Sequence, residues 1–348
     1  MVGPLAEAPG SLLKIEGTSS SRSSDLSLPI YIDSSTLALW RSCHRKYFWQ
    51  VLNSLYPTAR SIDLIAGGAF AAGMEAARRL VFTGASDHRP THDDLLFVAY
   101  KAFSREWGDF LPQEDSPKSF ENTFQALAEY LRIYPPETDV AQPLRRPDGS
   151  PTVEFTFAIP LEEGPKHPET GDHFLFVGRF DLLGAYNDLP CILDEKTTTS
   201  IGFAWDSQWD LRGQFMGYLW ACQQLGYPVN TAVIRGIGIL KREYKFATSI
   251  KQYPQHLIDR WYRLLLKDLN AIVHSYRYTT NHVIAVTSEE DLEEAFPYNF
   301  SDACTAYRGC AFTTLCSAQN AENFFSNYIR HRWNPLAKQP LSEKEEPK

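Results

Sequence analysis

Residues 174–199 read FLFVGRFDLLGAYNDLPCILDEKTTT, two apolar runs parted by a polar break from Asn187 to Pro190. Runs of this length, rich in aromatic and branched residues and bounded by turn formers, predict two antiparallel strands. Charged groups interrupt both runs: Asp181 in the first, and Asp194, Glu195 and Lys196 in the second. A turn centred near Asp188 puts Asp181 almost opposite Glu195 and Lys196, within cross-strand reach. Alternation along a strand sends Asp194 and Lys196 to one face and Glu195 to the other, so Glu195 offers the group its backbone carbonyl rather than its carboxylate.

Hard carboxylate oxygens that can hold Mg²⁺, together with a cation that can orient water or steady a developing phosphorane charge, are what metal-dependent phosphodiester cleavage requires. The plainer alternative is a surface strand end with a solvated Asp194–Lys196 salt bridge worth about 0–1 kcal/mol. The apolar neighbours, among them Phe176, Phe180, Leu182, Leu183, Ile192 and Leu193, make unpaired charge costly there. A predicted helix from Trp209 to Leu225 follows, and it carries Gln214 and Tyr218 one turn apart on one face. From that face they can reach a substrate phosphate or hydrogen-bond the lysine.

Working outward, TVEFTFAIPL after Pro151 alternates and predicts a third strand of an antiparallel meander. VNTAVIRGIGIL and REYKFATSIK predict two more strands, and Pro254 to Tyr278 a long helix. The first third is helical. Ser34 and Ser35 are expected to cap a helix that runs to Leu52 with Cys43 inside it, followed by helices over Gly67–Phe82, Thr91–Phe110 and Ser116–Tyr134. The order of helices, three strands, helix, strands and helix indicates an α/β or α+β core with a helical N-terminal elaboration. Ser- and Pro-rich residues 1–30 and charged residues 336–348 read as flexible tails. Between them, 31–335 is expected to form one domain: a helical part (31–150), a core (151–253) and C-terminal helices with a cysteine segment (254–335).

The chain has 348 residues, 43% of them hydrophobic, which suffices for a large core. A net charge of −8 argues against a general electrostatic nucleic-acid binder but not against an enzyme with a local basic channel. No apolar run reaches membrane-spanning length and no secretory leader is evident, so a cytoplasmic location and no membrane partner are expected. Of six cysteines, Cys304, Cys310 and Cys316 are separated by five residues each and read as metal ligands, whereas Cys191 and Cys222 lie in apolar contexts and read as core. No G-x-x-x-x-G-K-[ST] or G-x-S-x-G segment is present, so any helicase must be a separate partner. The GIG at Gly236 is too short to mean dinucleotide binding. Basic and aromatic residues interleave in CHRKYFW and YIRHRW, as on a path for single-stranded nucleic acid.

Together, G-R-F-D, L-D-E-K-T and Q-x-x-x-Y resemble the core of the PD-(D/E)xK nuclease superfamily, and more narrowly its RecB-type exonuclease branch, over roughly residues 66–240. The resemblance implies a restriction-endonuclease-like mixed central sheet flanked by helices, acting as an Mg²⁺- or Mn²⁺-dependent DNA exonuclease in recombination, repair or phage DNA processing. It implies that Asp181 and Asp194 bind the metal with the Glu195 carbonyl, that Lys196 assists the attacking water, and that Gln214 and Tyr218 complete the site. Thr197 to Thr199 would line the phosphate path. The substrate would be DNA, entering by a single-stranded end. One departure stands out: the branch carries a metal-binding histidine on an earlier helix, and here Ala72 occupies its place. Glu75, one turn on, either replaces it as a ligand or is an ordinary salt-bridged glutamate near Arg78 and Arg79. A chain that lost turnover with the histidine would be a DNA-binding or scaffolding module instead.

TLALWRSCHRKYFWQ around Cys43 resembles the segment with the distant first cysteine of iron–sulfur exonucleases, including CRISPR-adaptation nucleases and AddB-type helicase-nucleases. That resemblance implies a structural [4Fe–4S] cluster on Cys43, Cys304, Cys310 and Cys316. The trailing spacing is wider than usual for that family, and four thiolates also satisfy tetrahedral Zn²⁺.

Overall fold

The computed structural model describes residues 26–83, 89–111, 116–281, 289–305 and 309–336. Apart from residues 26–30 and 336, the expected tails lie outside the described residues.

After a short strand β1 (Tyr31–Ile32), Asp33 caps helix α1 (Ser34–Ser42), which corrects the expected caps Ser34 and Ser35. Its carboxylate accepts the Thr36 N–H at 2.6 Å, and the Thr36 hydroxyl accepts the Asp33 N–H at 3.0 Å. The helix does not run on to Leu52. Cys43 is extended (φ −165°, ψ 114°), and the chain restarts as α2 (His44–Tyr47) followed by a π-helical turn over Phe48–Leu52. Cys43 thus sits at a break rather than inside a helix. Its sulfur, accepting the Lys46 N–H at 3.4 Å, caps α2. A side chain that satisfies an orphan helix donor makes such a restart inexpensive.

Strand β2 (Leu55–Pro57) leads into α3 (Ile62–Thr83), α4 (His92–Trp107) and α5 (Phe120–Ile133). Thr91 and Ser119 supply the N-caps of α4 and α5. Then come β3 (Ala141–Pro143), β4 (Val153–Pro160), β5 (Leu175–Tyr186) and β6 (Leu189–Thr198). Helix α6 (Gly213–Gln224) crosses over to β7 (Thr231–Ile239), which turns back into β8 (Tyr244–Gln252). Helix α7 (Gln255–Asn281), α8 (Glu289–Ala295), α9 (Thr313–Ser317) and β9 (Tyr328–Arg330) complete the described chain.

The main sheet runs β1-β5-β6-β7-β8, with β3 and β4 also paired to β5. β4, β5 and β6 form the expected antiparallel meander, but β6 and β7 are parallel, joined by the α6 crossover, so the sheet is mixed. Its two faces carry separate cores. Ile192 and Ile234 pack with Phe215 and Leu219 of α6 and with Trp261 and Leu265 of α7. Ile237 and Ile239 pack under α3, α4 and α5, with Phe70, Phe103, Leu127 and Tyr130. This is the expected mixed sheet flanked by helices. A two-stranded sheet pairs β2 with β9, tying the C-terminal segment to the N-terminal one.

The β5–β6 connection is tighter than the four-residue break suggested. Tyr186 pairs with Leu189, leaving Asn187 (φ 47°) and Asp188 (φ 65°) as a two-residue turn with both residues left-handed. Asn and Asp tolerate that region, and such a turn matches the twist of the strands it joins. Asp188→Val places a branched side chain at a left-handed position and should lower stability by about 1–2 kcal/mol in urea unfolding; an unchanged midpoint would mean the hairpin closes by a different turn.

Candidate active site

The turn sets the register. From Tyr186–Leu189 the pairing runs back to Leu182–Leu193, where it ends one residue short of Asp181. The expected ladder position of Asp181, opposite Glu195 and Lys196, thus falls just beyond the paired register. At Asp181 the strands also part. Phe180 and Leu183 both enter the core on the α6 side while Leu182 enters the opposite one, so the alternation of β5 slips between them. The Asp181 carboxylate takes up the ladder instead, accepting the Glu195 N–H at 2.8 Å.

Asp194 faces α6 with Ile192 and Ile234. The Lys196 ammonium lies 2.6 Å from one of its oxygens, and the Gln214 amide donates to the other at 3.2 Å. Gln214 therefore serves Asp194, not the lysine. Tyr218 stands edge-on to Phe157 and Phe180, with ring centroids 5.9 and 5.2 Å away. Burial, reinforced by the charges of Asp194 and Asp181, holds its hydroxyl far above the usual tyrosine range. Thr197 and Thr198 continue β6 away from the carboxylates, half-buried, and Thr199 is exposed.

Burial pushes Asp181 up to about 7, and the Asp194 carboxylate pushes in the same direction, against Lys196 and the Glu195 N–H. Asp194 is raised too, by burial first, with Lys196 opposing. Burial alone would lower Lys196, but Asp194 and Asp181 outweigh it and hold the ammonium above the ordinary lysine value. Arg212, at the N-cap of α6, adds positive charge felt by both Asp194 and Lys196.

On the other face the Glu195 side chain is held by Arg78 of α3 at 2.6 and 3.0 Å and by the Tyr130 hydroxyl of α5 at 2.5 Å. The chain of contacts continues through buried Arg235, whose guanidinium donates to Tyr130 at 3.3 Å and to Asp139 at 2.5 and 2.7 Å. Glu195 thus presents only its backbone toward Asp181.

Glu75 is buried, with one oxygen 2.8 Å from Arg79 and the other 2.6 Å from Arg179. Both oxygens being engaged, its setting is that of the salt-bridged alternative. Sequence reasoning did not single out Glu154 or Arg179. Glu154 lies between the Val153–Leu182 and Phe155–Phe180 pairs, and so across from Asp181, with φ 48° and an ion pair of 2.6 Å to Arg179. Burial and the nearby Asp181 charge raise its carboxyl well above the ordinary value, with Arg179 opposing. In VEFTF a glutamate reads as a solvent-facing alternate; only the left-handed backbone turns it toward Asp181.

Two buried carboxylates, both with raised pKa values, carry negative charge that a divalent cation would relieve. Mg²⁺ requires only one or two carboxylates when water and substrate complete its shell. Asp181, Asp194 and the Glu195 carbonyl therefore fit such an ion. Among the described residues, no three His, Cys, Asp or Glu side chains form a ready-made metal-binding group. The four candidate cysteines are all partly exposed and unpaired. Cys310 donates its N–H to the Cys304 carbonyl at 2.8 Å. Burial pushes the Cys316 thiol up to about 11, and Cys310 and Cys43 lie close enough to add to the shift. Cys191 and Cys222 are wholly buried, in the core positions expected of them.

The family model described as the PD-(D/E)XK nuclease superfamily matches residues 34–317. No curated protein matches the chain. Among solved structures, one titled "Crystal structure of SSO0001" aligns over 62% of this chain and 86% of its own, with 11% sequence identity and a TM-score of 0.25. Among the described residues no helix is long and apolar enough to cross a membrane.

The raised Asp181 carboxyl makes a prediction with a definite sign. Between the ordinary value of 3.8 and about 7 the folded protein holds a proton that the unfolded chain has released. Metal-free stability should therefore fall as pH rises through that window and level off above it. Asp181→Asn keeps an acceptor for the Glu195 N–H and removes the charge. Its melting temperature should match wild type near pH 4 and exceed it at pH 8; added Mg²⁺ should raise the wild type alone. Parallel pH profiles for the two proteins would refute this account of the site.

Proposed function

Because the chain belongs to the PD-(D/E)XK nuclease superfamily, we propose that it is a divalent-metal-dependent deoxyribonuclease, an exonuclease that trims DNA from a single-stranded end. The observation that carries the proposal is the buried pair Asp181 and Asp194 with the Lys196 ammonium 2.6 Å from Asp194. The RecB-type spacing of G-R-F-D, L-D-E-K-T and Q-x-x-x-Y supports the exonuclease branch and a role in recombination, repair or phage DNA processing, alongside a separate helicase. We read residues 31–335 as one nuclease domain, within which the family match falls.

Asp181, Asp194 and the Glu195 carbonyl would hold Mg²⁺ or Mn²⁺. When bound, the cation supplies Lewis-acid stabilisation of the charge that builds on the phosphate. Lys196, held protonated by its carboxylate neighbours, is a cation and not a base at neutral pH. Its role is to orient the attacking water and to steady the phosphorane oxygens. Gln214 fixes the rotamer of Asp194, and Tyr218 closes the wall beneath it. Arg212 forms no ion pair among the described residues and is available to a phosphate.

A second reading, a DNA-binding module without turnover, is favoured by Ala72 at the histidine position and by the engagement of both Glu75 oxygens by arginines. Labelled DNA incubated with Mg²⁺ or Mn²⁺ separates the two. The first reading expects degradation that Asp194→Ala and Lys196→Ala each reduce by several orders of magnitude; binding without cleavage across divalent metals selects the second.

We further propose that Cys43, Cys304, Cys310 and Cys316 hold a structural [4Fe–4S] cluster, with Zn²⁺ as the competing occupant. Support comes from the closeness of Cys43 and Cys310 to Cys316 and from the β2–β9 pairing that brings residues 55–57 to residues 328–330. Anaerobic purification should give a brown protein with a visible band and stoichiometric iron; zinc without iron would replace the cluster by a zinc site, and neither metal would remove both.

A further inference from the structure

The GIG of β7 remains unexplained by the proposed chemistry. In the parallel β6–β7 ladder, Lys196 is the partner of Gly236, and Thr198 of Gly238. Partners in a ladder send their side chains to the same face, so a side chain at 236 would stand beside the Lys196 ammonium. The Trp205 ring takes that space instead: a Cβ on Gly236 would lie 2.3 Å from it. Ile201 similarly lies over Gly238, 3.1 Å from where its Cβ would be. Trp205 packs edge-on against buried Trp209, with ring centroids 5.0 Å apart. The two glycines therefore let the loop after β6 lie flat on the sheet, on the Lys196 side, pinned by two buried tryptophans.

On this anchored loop Phe203 is fully exposed, at 107% relative accessibility. It opens a short 3-10 turn that ends at Trp205, and it lines a recess of about 330 Å³ with Ser200, Gly202, Ala204, Trp205 and Gln208. That volume is at the lower edge of the roughly 300–1,000 Å³ of small-ligand sites. Ser200 is four positions along the chain from Lys196, a span of at most about 14 Å, or a few nucleotides of single strand. The two acids of the loop, Asp206 and Asp210, are both paired with Lys251 at 2.7 Å, which limits their repulsion of a phosphate backbone.

We propose that Phe203 is a stacking platform for a nucleobase of a single-stranded DNA end whose scissile phosphate lies at Lys196. An exposed ring on a rigid base loses little freedom on binding, and every base offers a face to stack on, so the contact positions a strand without reading its sequence. The proposal rests on the nuclease reading of the site. The alternative, an exposed aromatic for a protein partner, is an outcome of the test.

Binding of a fluorescein-labelled oligothymidylate to the full chain, followed by anisotropy without divalent metal, and cleavage kinetics with Mn²⁺ together test this. Phe203→Ala should raise Kd and KM on the order of ten-fold, as loss of one stacked base does, and leave kcat unchanged. Phe203→Trp should restore both. An abasic site moved along the oligonucleotide should, at one position near the end, bring wild type and Phe203→Ala to the same affinity. Unchanged Kd and KM in Phe203→Ala, or a loss confined to kcat, overturns the proposal and leaves the ring for a protein partner. A wild type that binds through Phe203 yet cuts no DNA with any divalent metal fails the nuclease reading while stacking stands; one that neither binds nor cuts ends both.

Discussion

The buried ion pair between Glu195 and Arg78, shared with the Tyr130 hydroxyl, is the constraint on which the site depends. It clamps β6 from the α3–α5 side of the sheet. With Glu195 held there, strand alternation leaves Asp194 and Lys196 no choice but the α6 side. Both partners are almost fully buried, and removing one member of such a pair typically costs about 3–5 kcal/mol because a bare charge is left behind. The Arg235–Asp139 pair extends the clamp through Tyr130 into the neighbouring strand, so two adjacent strands are fixed in rotation as well as in register.

Beside this clamp the protein carries an imbalance of charge that spans both faces of the sheet. Asp181, Asp194 and Glu154 all have raised pKa values, and among the described residues Lys196 pairs with Asp194 and Arg179 with Glu154. Burial of carboxylates without full compensation is unfavourable to the empty fold. The same imbalance is what makes the place attractive to a divalent cation and, through it, to a phosphate. Stability given up locally is recovered in the two cores that sandwich the sheet, where β7 is buried along its whole length.

The segment after α2 and the C-terminal part of the described chain are joined independently of any metal. β2 pairs with β9, Arg45 donates to the Phe296 carbonyl at 2.9 Å, and Cys310 and Cys316 pack against the main core. The proposed cluster would thus reinforce a closure that backbone pairing already makes. This fits a structural cofactor at a distance in sequence from the catalytic carboxylates.

Much of this was legible in the amino-acid sequence. Alternation in TVEFTFAIPL and the apolar runs around Asp181 and Asp194 announced the meander, and the polar interruptions within apolar strands marked Asp181, Asp194 and Lys196 as a group. Alternation also assigned Glu195 to the far face, because side-chain period is a local property of an extended chain. What the sequence by itself could not decide depended on backbone dihedrals and on distant partners. That Asn187 and Asp188 both turn left-handed sets the hairpin register that ends beside Asp181, and a longer turn would suit the same residues. The left-handed backbone of one strand residue, Glu154, brings a third acid to the site that pattern alone places in solvent. The break at Cys43 arises because its thiol competes for a helix donor. The role of Gly236 appears only when Trp205, brought in from the preceding loop, fills the space its missing side chain leaves. Local period is written in neighbouring residues; register, strain and close approach are settled by the energy of the whole packed chain.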